Sequence, residues 1–251
     1  MKGLREQLRT LDQALSEIGF ARGSGLGRAV WRGRWAGREC EVSTAPQRRT
    51  RYSGEVRYRE TLGYRLRLQM RTTIRTQLYF VREGFARNRV IQWVYRLRRQ
   101  RTVWPLPEAL RGFAAVTIDG AWTQRFLAED EVLSEVSRLL TEGATTAMAG
   151  SVYFAPTSKS GQLWYASPVV TLETLDGDRV KEVLDALERI AATVEQLPAP
   201  QVVYEASAFG RFGERYPWAV AIMVIGGGMA LLAAIAGVVI AVVVALVVLL
   251  N

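Results

Sequence analysis

The sequence predicts an α+β soluble domain, in which amphipathic helices cover an antiparallel sheet, followed by a C-terminal transmembrane helix. Three observations support this prediction. Apolar residues recur at helical spacing near both ends of residues 1–200, apolar and basic residues alternate along residues 56–80, and the segment after Tyr216 carries one polar side chain, Asn251. We therefore divide the chain into a soluble domain (1–200) with a subdivision near 104–112, a linker (201–216) and a membrane anchor (217–250).

The first predicted element is an amphipathic helix at the N-terminus. Its apolar residues recur at steps of three and four: Leu4, Leu8, Leu11, Leu15 and Ile18. Such a stripe packs on a core, so we expect the helix to cover the sheet. The glycine-rich stretch 23–27 has no GK[ST] ending and no preceding strand, which indicates a linker and not a phosphate-binding loop.

A β-hairpin is predicted next, over residues 28–45, with its turn at Ala36-Gly37 and its end at Ala45-Pro46. Residues 56–80 then alternate with period two, which is typical of strands with one buried face. We place a turn at Leu62-Gly63 and expect an antiparallel meander.

The exposed face of this predicted meander is rich in arginine. Apolar side chains occupy even positions, and six arginines occupy odd ones: Arg57, Arg59, Arg65, Arg67, Arg71 and Arg75. Arginines on one side of a sheet repel one another, and phosphate groups would neutralise them. We interpret the six as a binding surface for anionic lipid headgroups. The alternatives are nucleic acid or a nucleotide, and a face that is simply solvated or is paired with the acidic second half of the chain.

The second half continues the alternation of helices and strands. Residues 85–101 favour a helix over a strand, and Trp104–Pro107 is a rigid connector. Beyond the connector we predict a strand (113–118), a helix (129–140), a hairpin (150–155 with 163–166) and an amphipathic helix (180–194) that Asp176 caps and Pro198 ends.

Composition limits the chemistry that the chain can perform. The net charge of +9 is the sum of +16 over residues 1–111 and −7 over residues 112–251. There is no histidine, which removes His-dependent nucleophilic catalysis and His-ligated zinc. Cys40 is the one cysteine, which excludes an internal disulfide and fits a reducing compartment. We predict no cofactor and favour a non-enzymatic function.

Four acidic residues near a predicted strand-to-helix passage are the remaining place for metal or catalytic chemistry: Asp119, Glu129, Asp130 and Glu131. Divalent cations accept such oxygens, but the N-terminus of a helix attracts acids for electrostatic reasons alone. We therefore predict no metal. An enzyme that works through these carboxylates on an unknown substrate stays as an alternative function.

The apolar segment 217–250 is too long for one upright span. Its 34 residues would form a helix of about 50 Å, against a hydrocarbon core of about 30 Å. Gly226–Gly228 provides a joint, so we predict a membrane span over residues 229–250 with an interfacial segment before it; one tilted helix is the alternative.

Two sets of residues in this region carry the expected membrane contacts. The interface set is Arg211, Arg215, Tyr216 and Trp218. The second set is a stripe of small residues through which two tails could approach: Ala230, Ala233, Gly237, Ala241 and Ala245. Because the arginines precede the span, we predict a single-pass protein with a cytoplasmic N-terminal domain and its C-terminus outside.

Together these features predict a tail-anchored, non-enzymatic binding or scaffold protein whose basic sheet face engages anionic lipid or another anionic partner. The alternative is a membrane effector that senses a ligand with its soluble domain and forms homo-oligomers through its tail to perturb the membrane.

Overall fold

The computed structural model describes residues 2–24, 28–53, 56–141, 151–157, 160–171 and 176–205. The chain divides into two units, Met1–Tyr204 and Glu205–Asn251, and every element below belongs to the first. The predicted membrane span, the interface residues and the stripe of small residues therefore lie outside the described residues. Among the residues that are described, no helix is long and apolar enough to cross a membrane.

The described residues contain nine strands, which form one antiparallel sheet. In chain order they are β1 (Ala21–Gly23), β2 (Ala29–Trp35), β3 (Arg38–Ser53), β4 (Val56–Thr72), β5 (Leu78–Arg82), β6 (Arg101–Val103), β7 (Phe113–Thr117), β8 (Ser151–Phe154) and β9 (Gly161–Ala166). Their order in the sheet is β1-β2-β3-β4-β9-β8-β5-β7-β6. The β8–β9 hairpin thus lies between β4 and β5, at the centre of the sheet.

The α-helices of the same residues are α1 (Lys2–Glu17), α2 (Glu83–Ala86), α3 (Arg89–Leu97), α4 (Gly120–Ala128), α5 (Asp130–Thr141) and α6 (Gly177–Gln196). Helix α6 packs against β4, β9, α1 and α5, and α5 packs against β8. The buried side chains of these helices share one core with Leu66, Leu68 and Met70 of β4. We call the side of the sheet turned to this core the inner face, and the other side the outer face.

The α+β class and the antiparallel sheet are confirmed. Leu11 and Leu15 of the N-terminal stripe are buried in the core, as an amphipathic α1 requires. Asp176 caps α6 by accepting a hydrogen bond from the backbone N–H of Arg179 at 2.7 Å. Residues 85–101 contain helix α3, the alternative that the sequence favours over a strand.

The two chain breaks predicted at Ala45-Pro46 and Leu62-Gly63 are wrong, because β3 and β4 run through them. Pairing of β2 with β3 ends at Thr44, so the missing N–H of Pro46 breaks no hydrogen bond on that side. Gly63 has a φ of +152°, and a Cβ there would lie 2.7 Å from the carbonyl oxygen of Val170. The neighbouring segment, and not a turn, requires glycine at this position.

A β-bulge interrupts the alternation of β4. The register between β3 and β4 shifts after Gln47, which lies opposite Gly63, while Arg48 lies opposite Thr61. Leu62 is therefore the extra residue of β4. One extra residue moves every following side chain to the other face of the ladder.

The prediction that six arginines share one face is wrong for this reason. On β4, Arg65, Arg67 and Arg71 lie on the outer face, whereas Arg57 and Arg59, beyond the bulge, lie on the opposite side of the ladder. Two cross-strand ion pairs show this change of face. On one side of the bulge Arg71 pairs with Glu39 at 2.9 Å, so odd-numbered residues of β3 and β4 share a face. On the other side Arg51 of β3 pairs with Glu60 of β4 at 2.7 Å, so odd-numbered residues of β3 share a face with even-numbered residues of β4.

The predicted meander is also wrong, because β4 and β5 are not neighbours. Strand β4 ends at Thr72, and β9 pairs along its free edge. Arg75 consequently lies in the segment that connects β4 to β5, not on a strand.

Candidate anion-binding face

The outer face at the centre of the sheet aligns one residue from each of four strands. Gln69 of β4 lies opposite Trp164 of β9, Trp164 lies opposite Tyr153 of β8, and Tyr153 lies opposite Tyr79 of β5. Paired residues of an antiparallel ladder share a face, so these side chains form one row across the sheet. We call the three aromatic residues the aromatic row.

The rings of the aromatic row stack on one another. The centroids of Tyr79 and Tyr153 are 5.6 Å apart, and those of Tyr153 and Trp164 are 5.8 Å apart with an interplanar angle of 6°. Burial raises the pKa of both tyrosines, so both hydroxyls stay neutral at physiological pH. Because neighbouring rings already occupy the ring faces inside the row, bases have no open stacking platform there.

Arg65 and Arg67 lie beside this row on β4. The Nε of Arg65 donates a hydrogen bond to the carbonyl oxygen of Ser167 at 2.8 Å, and burial together with the charge of Arg67 lowers the pKa of Arg65. Arg67 is exposed and makes no hydrogen bond or ion pair with the described residues. Residues two apart on one strand lie about 7 Å from each other, so one phosphate-bearing group can contact both side chains.

The adjoining part of the outer face is close to electrically neutral. A cavity of about 300 Å³ lies there, and its lining includes Arg32, Glu39, Glu41, Gln69 and Arg71. Arg32 pairs with Glu41, and Arg71 with Glu39, each at 2.9 Å. The end of the face at Arg65 and Arg67 is therefore the better place for an anion.

Beyond the bulge, β3 and β4 continue as a two-stranded arm, residues 48–53 and 56–61, with arginines on both of its faces. The register places Arg48, Arg57 and Arg59 on one side and Arg49 and Arg51 on the other. All five are exposed. A ribbon of this kind is basic on both sides, unlike the one-sided face that the sequence predicts.

The acidic second half of the chain contacts the first half at a different place. Glu195 of α6 accepts two hydrogen bonds from the guanidinium of Arg38, and one each from Thr72 Oγ1 and the backbone N–H of Thr73, all at 2.8 Å. Burial opposes the charge of Glu195, but these donors outweigh it and lower the pKa of Glu195 to about 2. These four hydrogen bonds hold α6 against the end of β4.

Asp119 stabilises the fold by accepting backbone hydrogen bonds. It is buried, caps α4 by accepting from the N–H of Trp122 at 3.0 Å, and also accepts from the N–H of Val202 at 3.0 Å. Burial alone would raise the pKa of Asp119, but the backbone donors outweigh it and lower that pKa. Asp119 thus holds the segment that follows α6 against the domain.

The other residues considered for chemistry are not assembled into a site. Among the described residues there is no group of three or more His, Cys, Asp or Glu placed to hold a metal ion. Glu129, Asp130 and Glu131 lie at the start of α5, where the helix dipole favours acids. Cys40 is buried, and burial raises the pKa of its thiol to about 11, which makes it a poor nucleophile.

Comparisons of this chain with protein-family models, with curated proteins and with solved structures found no match.

Proposed function

We propose that this chain is a non-enzymatic, membrane-tethered binding domain whose outer sheet face engages anionic lipid headgroups. The observation that supports it best is Arg67, an exposed guanidinium two residues from the half-buried Arg65 on the same outer face. The tether itself rests on the composition of residues 217–250, which carry no charged or strongly polar side chain.

The energetics suit a tethered contact better than a free one. Each arginine close to an anionic leaflet contributes about 1 kcal/mol, so two or three of them alone give weak binding. A tether keeps the domain at a high local concentration next to the bilayer, and a weak contact is then occupied for much of the time. The arginine face would orient the domain, and the apolar tail would supply the affinity.

The test uses a fragment that ends at Glu205, because Val202 and Tyr204 still contact the domain through Asp119 and the carbonyl oxygen of Arg75. Binding to vesicles with and without anionic lipid is measured by sedimentation at low ionic strength and high lipid concentration, because the contact without its tether is weak and salt screens it. Arg67→Glu removes one attraction and adds one repulsion, which should weaken binding to anionic vesicles roughly 30-fold, or about 2 kcal/mol.

Arg125→Glu is the matched control, since Arg125 is exposed on α4 and the substitution changes the charge equally. Thermal unfolding checks that both variants fold. Equal weakening by the two variants would mean that only net charge matters, and an unchanged affinity of the Arg67→Glu variant would exclude this face as the lipid contact.

Nucleic acid is the second candidate partner, and the arm of residues 48–53 and 56–61 favours it. A two-stranded ribbon fits the major groove of duplex DNA, where arginines on both of its sides would meet phosphates of both strands. Fluorescence anisotropy with a labelled duplex at several salt concentrations tests this. Replacing Arg57 and Arg59 by alanine should lower the salt dependence by about two released counterions, and the absence of any salt-dependent binding would exclude it.

A further inference from the structure

Helix α3 exposes an apolar stripe to solvent. Val90, Trp93 and Leu97 are 66%, 60% and 65% exposed, and their spacing of three and four residues places them on one side of the helix. Scattered exposed apolar residues need no explanation, but an aligned row of three that includes a tryptophan marks a contact surface.

The helix that carries this stripe is well defined at both ends. The side chain of Asn88 accepts hydrogen bonds from the N–H groups of Val90 and Ile91, and the N–H of Gln100 donates to the carbonyl oxygen of Tyr95 at 2.8 Å. Ile91 and Tyr95 are half-buried. The stripe is therefore the free side of a capped helix, not a frayed segment.

Positive charge surrounds the stripe. Residues 82–101 contain seven arginines and one glutamate. Arg89 and Arg96 lie one helical turn before and after Trp93, so a cation flanks the tryptophan on each side. An apolar stripe with a basic flank is the composition of a helix that lies in the plane of a membrane surface.

The end of α3 also lies near the place where the chain leaves the described unit. Arg98, which follows α3, and Tyr204 both act electrostatically on the hydroxyl of Tyr79, and the N–H of Tyr204 donates to the carbonyl oxygen of Arg75 at 2.8 Å. Only residues 205–216 separate this point from the apolar segment. Twelve residues extend at most about 40 Å, which is the longest tether that can join Tyr204 to a bilayer that the tail enters.

We propose that α3 is an interfacial helix whose Val90, Trp93 and Leu97 insert into the headgroup region of an anionic leaflet while Arg89 and Arg96 contact lipid phosphates. The inference rests on the tether of the proposed function, but it uses an element separate from the β4 face. A second copy of the chain is the less favourable occupant, because face-to-face pairing of two stripes would bring two sets of arginines together.

The test measures the environment of α3 in the full chain. Each lipid nanodisc holds one chain. A polarity-sensitive fluorophore is attached through Val90→Cys, and Gln124→Cys on α4 is the matched exposed control. The native Cys40 is buried, and the unsubstituted chain shows whether it reacts. We expect the emission of the label at position 90 to shift to the blue in discs with anionic lipid, and the emission of the control label to stay water-like.

Two sets of variants and three contrary outcomes decide the inference. Arg89→Glu with Arg96→Glu should abolish the blue shift, whereas Arg67→Glu should leave it intact even if the β4 face binds lipid. A label at position 90 that stays water-like in anionic discs, or that shifts equally in zwitterionic discs, would overturn the proposal. A shift that appears only with two chains per disc would make the stripe a contact between copies and would overturn it as well.

Discussion

Replacing Glu195 by glutamine measures how strongly α6 is fastened to the sheet. The pKa of Glu195 is lowered from 4.5 to about 2 by four donated hydrogen bonds, two of them from Arg38. A difference of that size corresponds to about 3 kcal/mol at pH 7. The side chains of Arg38 and Glu195 are each 19% exposed, so solvent weakens their interaction. We therefore expect Glu195→Gln to lower the free energy of unfolding by about 2 kcal/mol.

The effect should depend on pH in a defined direction. Because the folded state lowers the pKa of Glu195, its stabilisation is fully present above pH 4.5 and is lost as the pH falls towards about 2. The difference in stability between the original protein and the Glu195→Gln variant should therefore shrink between pH 5 and pH 2.5. An effect of packing alone would stay constant across this range.

Urea unfolding of the fragment ending at Glu205 measures both quantities. Glu39→Gln is the matched control, since the pair of Glu39 with Arg71 is exposed, 59% and 53%, and should contribute at most about 0.5 kcal/mol. If Glu195→Gln costs no more than Glu39→Gln at pH 7, or if its cost does not fall with pH, the reasoning from the lowered pKa is refuted.

Two substitutions and one alkylation experiment test further positions. Gly63→Ala should lower the unfolding free energy by about 2 kcal/mol or more in urea titration, because φ is +152° and the new Cβ would meet Val170. Asp119→Ala should cost about 1–2 kcal/mol and speed amide exchange at Val202, since it removes the acceptor of that N–H. The Cys40 thiol, with a pKa of about 11, should resist alkylation at pH 8 until urea unfolds the chain; rapid reaction in the folded state would contradict its burial.

Local periodicity predicts the elements that pack on the core. The stripe that includes Leu11 and Leu15 predicts α1, and the even positions of β4 predict its buried side from Leu66 to Met70. The sequence gives no comparable signal for α4, which is nine residues long and buries only four of them. One of these four is the polar Thr123, so the apolar residues that remain, Trp122, Phe126 and Leu127, recur too few times to define a period of 3.6 residues.

The bulge at Leu62 could not be predicted, because the alternation of apolar and basic residues in the sequence continues through it. Tyr58, Tyr64 and Leu66 all fall on even positions, and only the pairing with β3 shows that one residue is extra. The same limit applies to the aromatic row, which joins Tyr79 to residues more than 70 positions away. Pairing between distant strands depends on the whole sheet and leaves no mark in a local pattern.

The basic excess of the first half is not simply cancelled when the chain folds. Several acids of the second half pair with arginines of that same half: Glu135 with Arg138 and Arg189, and Glu182 with Arg138 and Arg179. The ion pair between Arg38 and Glu195 joins the two halves of the chain. It lies on the inner face, beside the end of β4, whereas Arg67 lies on the outer face. Packing thus keeps acid and base segregated, and the arm, the β4 face and the flank of α3 retain the positive charge that an anionic partner would neutralise.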